Sequence, residues 1–97
     1  MDFTDAAIGD LRSIRNYTLE KWGEEQEAKY LDELWNRFEE IQTNPQRWRS
    51  REDLFPGCQL APYERHVILF RIEDGTLRVV RVLHSAMDFQ RHIPENL

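Results

Sequence analysis

Two histidines and an aspartate stand four residues apart near the end of the chain, at His84, Asp88 and His92. On a continuous helix that spacing would align three metal ligands. Here the group follows a strand-like run and is stopped by Pro94, so we expect no continuous helix. We predict a structural role instead, in which His84 closes a strand and the Asp88 carboxylate accepts backbone amides in the next turn. The sequence predicts no metal and no other cofactor.

Arginines and one histidine offer a second kind of chemistry, the cleavage of a phosphodiester. Arg65, Arg71 and Arg81 would stabilise the charge of the transition state, and His84 would move a proton. No tyrosine follows Tyr63, so the last third of the chain is short of groups for acid–base catalysis. This interpretation stays open, because arginine-assisted chemistry with one histidine needs few groups.

Length and charge limit the class of protein. Ninety-seven residues suit one domain, and we expect a single domain over 1–97. The net charge of −5 divides into −6 over residues 1–44 and +1 over 45–97, which argues against overall electrostatic attraction to nucleic acid. All eight basic residues of the second half are arginines, whose planar guanidinium suits carboxylates and phosphates.

Three further features bear on location and partners. No apolar run is long enough to cross a bilayer and no secretion-signal pattern opens the chain, so we expect no membrane association. The lone Cys58 cannot form an internal disulfide, which is typical of a reducing cytoplasm, and we expect it to be buried and inert. The basic stretch RWRSR (47–51) is followed at once by two acids, so we expect no sequence-specific binding of nucleic acid.

The first half of the chain has helical periodicity in two runs. Thr4 is a suitable N-cap for the first helix, and Gly23 suits its end. Acidic residues then crowd the start of the second helix, which Asn44-Pro45 ends. The short link predicts an antiparallel hairpin of helices. The apolar positions recur at three- and four-residue steps, at Ala7, Leu11, Ile14 and Thr18 and then at Ala28, Leu31, Leu34, Trp35, Phe38 and Ile41.

After an irregular stretch over 45–56, the hydrophobic period becomes two. We predict a short strand over Cys58 to Pro62 and two longer strands over Glu64 to Glu73 and Thr76 to His84. Tight turns make neighbouring strands antiparallel. The predicted fold class is therefore α+β, with a helical hairpin packed on one face of a small antiparallel sheet.

The turn at Asp74-Gly75 sets the register of the last two strands. A two-residue turn would place Arg71 directly opposite Arg78, and like charges opposed in this way are unfavourable. We therefore expect a three-residue turn, which pairs Ile68 with Val80. A slip of one residue changes the face to which every side chain points.

In this register His66 pairs with Val82 and the side chains separate onto two faces. The face under the helices holds Ile68, Phe70, Ile72, Val80 and Val82. The other face alternates arginine with aliphatic residues and has no helix to cover it: Arg65, Val67, Leu69, Arg71, Leu77, Val79, Arg81 and Leu83. An uncovered face of this size favours a partner, which would bury the aliphatics and pair its acids with the arginines.

The closing stretch RVVRVLHSAMDFQRHI resembles the end of ParE-type toxins, which belong to bacterial toxin–antitoxin pairs of the ParE/RelE superfamily. The similarity includes AAIGDLRSIRNYTLEKWG in the first helix, NP after the second, and FPGCQL followed by RHVILFRIEDG. Its most specific part is the combination of Leu83-His84, Met87-Asp88 and Arg91-His92. The similarity runs over nearly the whole chain.

The resemblance implies a β-α-α-β-β-β fold whose first strand is short, since only Met1 to Thr4 precede the first helix. It implies a cytoplasmic hetero-oligomer with a cognate ParD-like antitoxin, whose C-terminal segment lies on the open sheet face. The antitoxin-binding residues would be Arg65, Val67, Leu69, Arg71, Val79, Arg81 and Leu83. It also implies inhibition of DNA gyrase without nuclease chemistry. The alternatives are a RelE-like ribosome-dependent mRNA endoribonuclease, which commonly carries a C-terminal tyrosine, and a ParE-like interaction module that is not toxic.

Overall fold

Two helices pack on one face of a five-stranded sheet in the computed structural model, which describes residues 1–95 and 97. The helices are α1 (Asp5–Trp22) and α2 (Glu24–Thr43), and the strands are β1 (Asp2–Phe3), β2 (Arg49–Ser50), β3 (Gln59–Tyr63), β4 (His66–Glu73) and β5 (Thr76–His84). Single 3₁₀ turns cover Pro45–Arg47 and Phe89–His92. The strand order is β1-β5-β4-β3-β2. The predicted α+β class is confirmed, although the sheet is mixed because the short β1 runs parallel to β5.

The predicted ends of the helices are confirmed. The Thr4 hydroxyl accepts a hydrogen bond from the Ala7 amide at 3.0 Å, and this side-chain cap fixes the start of α1. Gly23 joins the two helices with φ of +88°, a conformation that costs a residue with a Cβ more than it costs glycine. Within the described chain, neither helix has the length and hydropathy that a bilayer span requires.

The predicted register of β4 and β5 is wrong. The turn has two residues, Asp74 and Gly75, both with positive φ, and Arg71 does lie opposite Arg78. The backbone twist of this turn matches that of the strands, and the Arg71 guanidinium finds a counter-charge at the Glu73 carboxylate. The cost of opposing two arginines is therefore too small to change the turn.

A bulge at Val80 then shifts the pairing. Phe70 pairs with Val79 but Leu69 pairs with Arg81, so Val80 is the extra residue on β5. Beyond it Ile68 pairs with Val82, instead of Val80 as predicted. The same shift sets His66 opposite His84, where the sequence predicted Val82.

The two-residue turn and the bulge together determine which side chains share a face. Leu77 and Val79 belong to the cluster under the helices, so the prediction that placed them on the opposite face is wrong. We call that opposite side the far face, and its buried strand residues are Val67, Leu69, Val80 and Leu83. Leu77 and Val79 lie between the turn and the bulge, so the two-residue turn sets their face and leaves Val80 on the far face. The bulge then inverts the alternation once more, which returns Val82 and Leu83 to the faces predicted for them.

The far face is not bare, and this corrects the second part of the prediction. Val67 is only 7% exposed and Leu69 0%. Two irregular segments cover them: the loop 51–58, through Leu54, Phe55 and Cys58, and the C-terminal segment (residues 88–95 with Leu97), through Phe89, Ile93 and Leu97. Neither cover has a helical or strand period, so periodicity alone did not reveal it.

Candidate interaction surfaces

A groove of about 290 Å³ lies between α1 and α2, and we call it the helical groove. Its lining is apolar except for two arginines at the rim: Ile8, Leu11, Arg12, Arg15, Leu31, Leu34, Trp35 and Phe38. Ile8 and Trp35 remain 40% and 48% exposed. The Trp35 ring stacks on Phe3 with centroids 6.0 Å apart and meets the edge of Phe38 at 5.8 Å. Trp35 is thus held on one side while the other side stays open, as in an aromatic anchor of an interface.

Arg81 is bound to both sides of the sheet. Its Nε donates to Asp10 Oδ2 at 2.8 Å, and Nη1 donates to the His92 carbonyl at 2.7 Å. Asp10 Oδ2 also accepts the Val82 amide at 2.9 Å, which satisfies the edge of β5 beyond the end of β1. The hydrogen bond from Asp10 raises the pKa of Arg81 above its ordinary value. Arg81 therefore joins α1, β5 and the C-terminal segment.

The sequence prediction missed Asp10, although a signal for it was present. Asp10 lies three residues after Ala7 and four before Ile14, so a carboxylate stands on the buried stripe of an amphipathic helix. A charge in that position needs a partner, since burial of an unpaired carboxylate is costly. The partner turns out to be one of the predicted arginines.

Arg71 borders the far face next to the end of the C-terminal segment. Its guanidinium lies against the Glu73 carboxylate, and Nη2 donates to the main-chain oxygen of Leu97 at 3.1 Å. Its Nε is buried and has no hydrogen-bond partner among the described residues. A guanidinium can donate five hydrogen bonds, so Arg71 has unused capacity for an acceptor.

Arg65 lies elsewhere, in the turn that links β3 to β4, and its predicted place on the far face is wrong. It is exposed and lines a groove of about 480 Å³ under α1 together with His66, His84 and Met87. The preceding Glu64 has φ of +52°, a conformation that non-glycine residues adopt at some cost. The turn therefore presents Arg65 at the open end of the sheet, on the side of the helices.

A pair of imidazoles forms the floor of that groove. The rings of His66 and His84 lie 5.7 Å apart, and His66 Nδ1 is 2.7 Å from the Tyr30 hydroxyl. Burial lowers the pKa of His66, the nearby His84 lowers it further, and Asp10 opposes the shift. Burial also raises the pKa of Tyr30 to about 12. Tyr30 and His66 are therefore joined by a hydrogen bond between a neutral phenol and an imidazole that burial keeps from taking up a proton.

The groups proposed for phosphodiester cleavage are only partly brought together. Arg65 and His84 share one groove, but Arg71 stands six positions further along β4, roughly 20 Å away at the rise of a strand. Arg81 is occupied by Asp10 and by the His92 carbonyl. Two of the three arginines thus point to contacts inside the protein.

The motif of His84, Asp88 and His92 is structural in a different way from the prediction. His84 closes β5, and its Nδ1 accepts the Ala86 amide at 3.1 Å. The Asp88 carboxylate caps no backbone amide, contrary to the prediction, and lies instead 3.5 Å from Arg91 Nε on the surface. Among residues 1–95 and 97, no three His, Cys, Asp or Glu side chains converge as metal ligands would.

Two smaller predictions concern the segment before β3. Cys58 is buried as expected, and burial raises the pKa of its thiol to about 12, which keeps it protonated and unreactive. In the basic stretch, the Arg47 guanidinium lies over the Trp48 ring at 5.0 Å, and the Arg37 guanidinium from α2 lies over the same ring at 5.3 Å. Both guanidinium groups are near the Glu40 carboxylate. The guanidinium groups of Arg37 and Arg47 therefore already have partners within the protein.

Comparison with known proteins gives a consistent result. The model of the ParE toxin of the type II toxin–antitoxin system, parDE, matches residues 1–89. Toxin ParE1 of Mycobacterium tuberculosis is 34% identical over 89 residues, which cover 91% of each chain. Toxin ParE1 of Caulobacter vibrioides is 32% identical over 87 residues, 90% of each chain. Toxin ParE of Escherichia coli is 30% identical over 96 residues, 97% of this chain and 92% of that one.

A solved structure, the chromosomal ParDE TA system from P. aeruginosa, supports the same fold with a TM-score of 0.72 at 19% identity, covering 86% of this chain and 91% of that one. A helical hairpin on a mixed five-stranded sheet, together with these relatives, defines a toxin of the type II toxin–antitoxin class. The chain belongs to the ParE toxin family. The resemblance seen in the sequence is thereby confirmed.

Proposed function

We propose that this ParE-type toxin inhibits DNA gyrase and is neutralised in the cytoplasm by a cognate ParD-like antitoxin, with the whole chain acting as one domain. The observation that carries the proposal is the family match over residues 1–89. Three relatives that carry the name ParE or ParE1 align with this chain over 90% or more of their own length. The lone buried thiol is consistent with a reducing compartment.

The arrangement of the arginines supports an action by binding. A nuclease needs a base, an acid and charge stabilisation converging on one phosphate. Here Arg71 and Arg81 donate to main-chain carbonyls and carboxylates of the protein itself. The pair Arg65 and His84 is what a RelE-like activity would have to use, so that activity is the alternative to be tested.

A supercoiling assay tests the proposed target. Purified toxin is added to gyrase, relaxed plasmid and ATP, and we expect supercoiling to fall with toxin concentration and to recover when the antitoxin is added. Translating ribosomes programmed with a defined mRNA form the second arm. Full supercoiling together with cleaved mRNA would overturn the proposal in favour of the ribonuclease.

The helical groove is the open surface that best fits a helix of the antitoxin. An amphipathic helix would place its apolar side chains on Leu11, Leu31 and Trp35, and its acids beside the rim arginines Arg12 and Arg15. The arginines give this contact charge complementarity, and Trp35 gives it a rigid aromatic anchor.

Trp35→Ala is the matching test. We expect antitoxin binding, measured by calorimetry, to weaken by about 2 kcal/mol or more, as at an interface hot spot. Trp22→Ala is the control, because Trp22 is 64% exposed and does not line the helical groove. Equal affinities of the two variants, with both folded by circular dichroism, would exclude the helical groove.

A further inference from the structure

The groove at the open end of the sheet extends beyond the imidazole pair. A second groove of about 480 Å³ adjoins it, and four residues line both: Tyr17, Thr18, Arg65 and His66. We call the two together the open-end groove, to which Trp22 and Lys29 also belong. None of these residues lines the helical groove. The open-end groove is therefore separate from the surface proposed for the antitoxin helix.

One cation in the open-end groove has no counter-charge. The Arg65 side chain is exposed, and no carboxylate of residues 1–95 and 97 forms an ion pair with its guanidinium. Its main-chain carbonyl accepts the Ser85 amide at 2.8 Å, which holds the turn against the end of β5. Asp10 lines the same part of the groove, but its carboxylate already binds Arg81 and the Val82 amide. The groove thus offers an unpaired positive charge on a fixed backbone.

His84 adds a hydrogen-bond donor to the same part of the groove. Its Nδ1 accepts the Ala86 amide at 3.1 Å, so that nitrogen carries no proton. In the neutral ring this hydrogen bond assigns the proton to Nε2. An N–H at Nε2 binds an oxyanion but abstracts no proton. The hydrogen bond from Ala86 therefore favours a role of His84 in binding over the role of a general base.

Exposed aromatic side chains line the open-end groove next to these donors. Trp22 is 64% exposed and Tyr17 57%, and both lie in the last two turns of α1. Aromatic rings beside a cation are the combination that binds single-stranded nucleic acid, because the rings stack on bases and the cation binds phosphate. Lys29 lies close to two acids, Glu33 and Glu64, that line the same part of the groove. The phosphate is therefore expected at Arg65.

We infer that the open-end groove binds a nucleoside phosphate, either free or within a single strand. The phosphate accepts hydrogen bonds from the Arg65 guanidinium and from His84 Nε2, and the base stacks on the rings of Tyr17 and Trp22. The inference goes beyond the proposed inhibition of gyrase, because it assigns a ligand to a surface that has no part in that proposal. No bond of the ligand is cleaved.

Tryptophan fluorescence tests the inference, because a base stacked on Trp22 should quench its emission. The toxin is titrated with thymidine monophosphate, with a short oligothymidylate and with inorganic phosphate. We expect saturable quenching by the first two. Equal affinities would identify a single nucleotide as the ligand, and tighter binding of the oligomer would identify a strand. Equal quenching by inorganic phosphate, or no quenching by either nucleotide probe, would overturn the inference.

Arg65→Ala and Trp22→Ala each remove one half of the site from an exposed position, so both variants should fold. By calorimetry with the tighter of the two nucleotide probes, we expect the affinity to fall about tenfold or more without the charged donor and about fivefold or more without the ring. Arg12→Ala and Trp35→Ala are the matched controls, since both residues line the helical groove. Equal losses in the control variants would reduce the binding to non-specific attraction and refute the site.

Salt dependence separates a local site from general attraction. The net charge of the protein is −5, so we expect only the phosphate at Arg65 to be neutralised. The logarithm of the association constant should then fall with the logarithm of the salt concentration with a slope of about −0.7. A slope several times steeper would contradict a single phosphate contact.

An oligouridylate incubated with the toxin tests whether the site binds without cutting, and we expect it to be recovered intact. Its cleavage would assign His84 to catalysis and overturn the inference of binding alone. Inhibition of gyrase is read separately in the supercoiling assay, so failure of the nucleotide site and failure of the proposed function are distinguishable.

Discussion

The two faces of the sheet are equally dry but are covered by different kinds of structure. Leu69 and Phe70 are neighbours on β4, point to opposite faces, and are both 0% exposed. Above Phe70 lie helices of 18 and 20 residues, which satisfy their own backbone groups. Above Leu69 lie the loop 51–58, whose ends are joined by the Arg51 amide and the Cys58 carbonyl at 2.8 Å, and a C-terminal segment that side chains of β4 and β5 hold in place. Equal burial is therefore reached with covers that differ in their internal hydrogen bonds, and local stability follows those bonds.

Arg81 is the point at which the two covers meet. It binds Asp10 of α1 on one side and the His92 carbonyl of the C-terminal segment on the other. The bond to α1 is charge-assisted at both partners, whereas the bond to the segment is not. Arg81 is therefore bound to α1 through an ion pair and to the C-terminal segment through one hydrogen bond to a neutral carbonyl.

Removal of a large side chain from each cover gives the largest expected difference. Phe38→Ala, under the helices, should lower the free energy of unfolding by about 3–5 kcal/mol, since it leaves a cavity in a closed core. Phe89→Ala should cost only about 1 kcal/mol, because Phe89 is half-buried. Urea denaturation measures both. Equal losses would show that the C-terminal segment is as integral to the fold as the helices.

Asp10→Ala tests the bond between α1 and β5. It leaves the Arg81 guanidinium, whose side chain is 19% exposed, without its carboxylate and the Val82 amide without an acceptor. We expect a loss of about 2–4 kcal/mol in the free energy of unfolding. Asp88→Ala is the control, since its pair with Arg91 is on the surface and should contribute less than about 0.5 kcal/mol. Similar losses at both sites would mean that the pair of Asp10 and Arg81 stabilises the fold no more than a surface ion pair does.

Thr4→Ala tests how the bulge is held. The Thr4 hydroxyl accepts from the Ala7 amide and donates to the Val80 carbonyl at 2.6 Å, so it caps α1 and stabilises the extra residue of β5 together. We expect a loss of about 1–2 kcal/mol. Thr4→Ser keeps the hydroxyl and should stay within about 0.5 kcal/mol of wild type. A large loss in the serine variant would assign the effect to the missing methyl group.

The parts of the fold that the sequence predicted well are determined locally. The ends of the helices depend on Thr4, Gly23 and Pro45, each of which acts on its own turn of backbone. The bulge in β5, by contrast, involves a long-range contact, because the Thr4 hydroxyl donates to the Val80 carbonyl 76 positions away. The rule against opposed arginines was local as well, and it was outweighed by Glu73 and by the favourable turn.

The candidate surfaces were predicted less well, for a related reason. The arginines were predicted to bind an antitoxin, and the partners that the structure gives Arg71 and Arg81 lie within the same chain. Irregular segments carry no period that reveals what they cover, so the far face was taken to be open. The signal that could have revealed the cover is the presence of two large apolar residues, Phe89 and Ile93, in a segment without predicted secondary structure.

A pH titration gives the smallest of the expected effects and tests the helix side of the sheet at its open end. The pKa of His66 is lowered below the ordinary 6.5, first by burial and then by His84, so the folded protein binds fewer protons than the unfolded chain in that range. Stability is therefore complete above pH 6.5 and falls as the pH drops through and below that value. His66→Gln should remove this dependence of the urea midpoint, whereas His84→Gln should reduce it only in part, because burial of His66 remains. If the urea midpoint of His66→Gln still falls with pH as it does in the wild type, the loss of stability at low pH arises from other groups and not from His66.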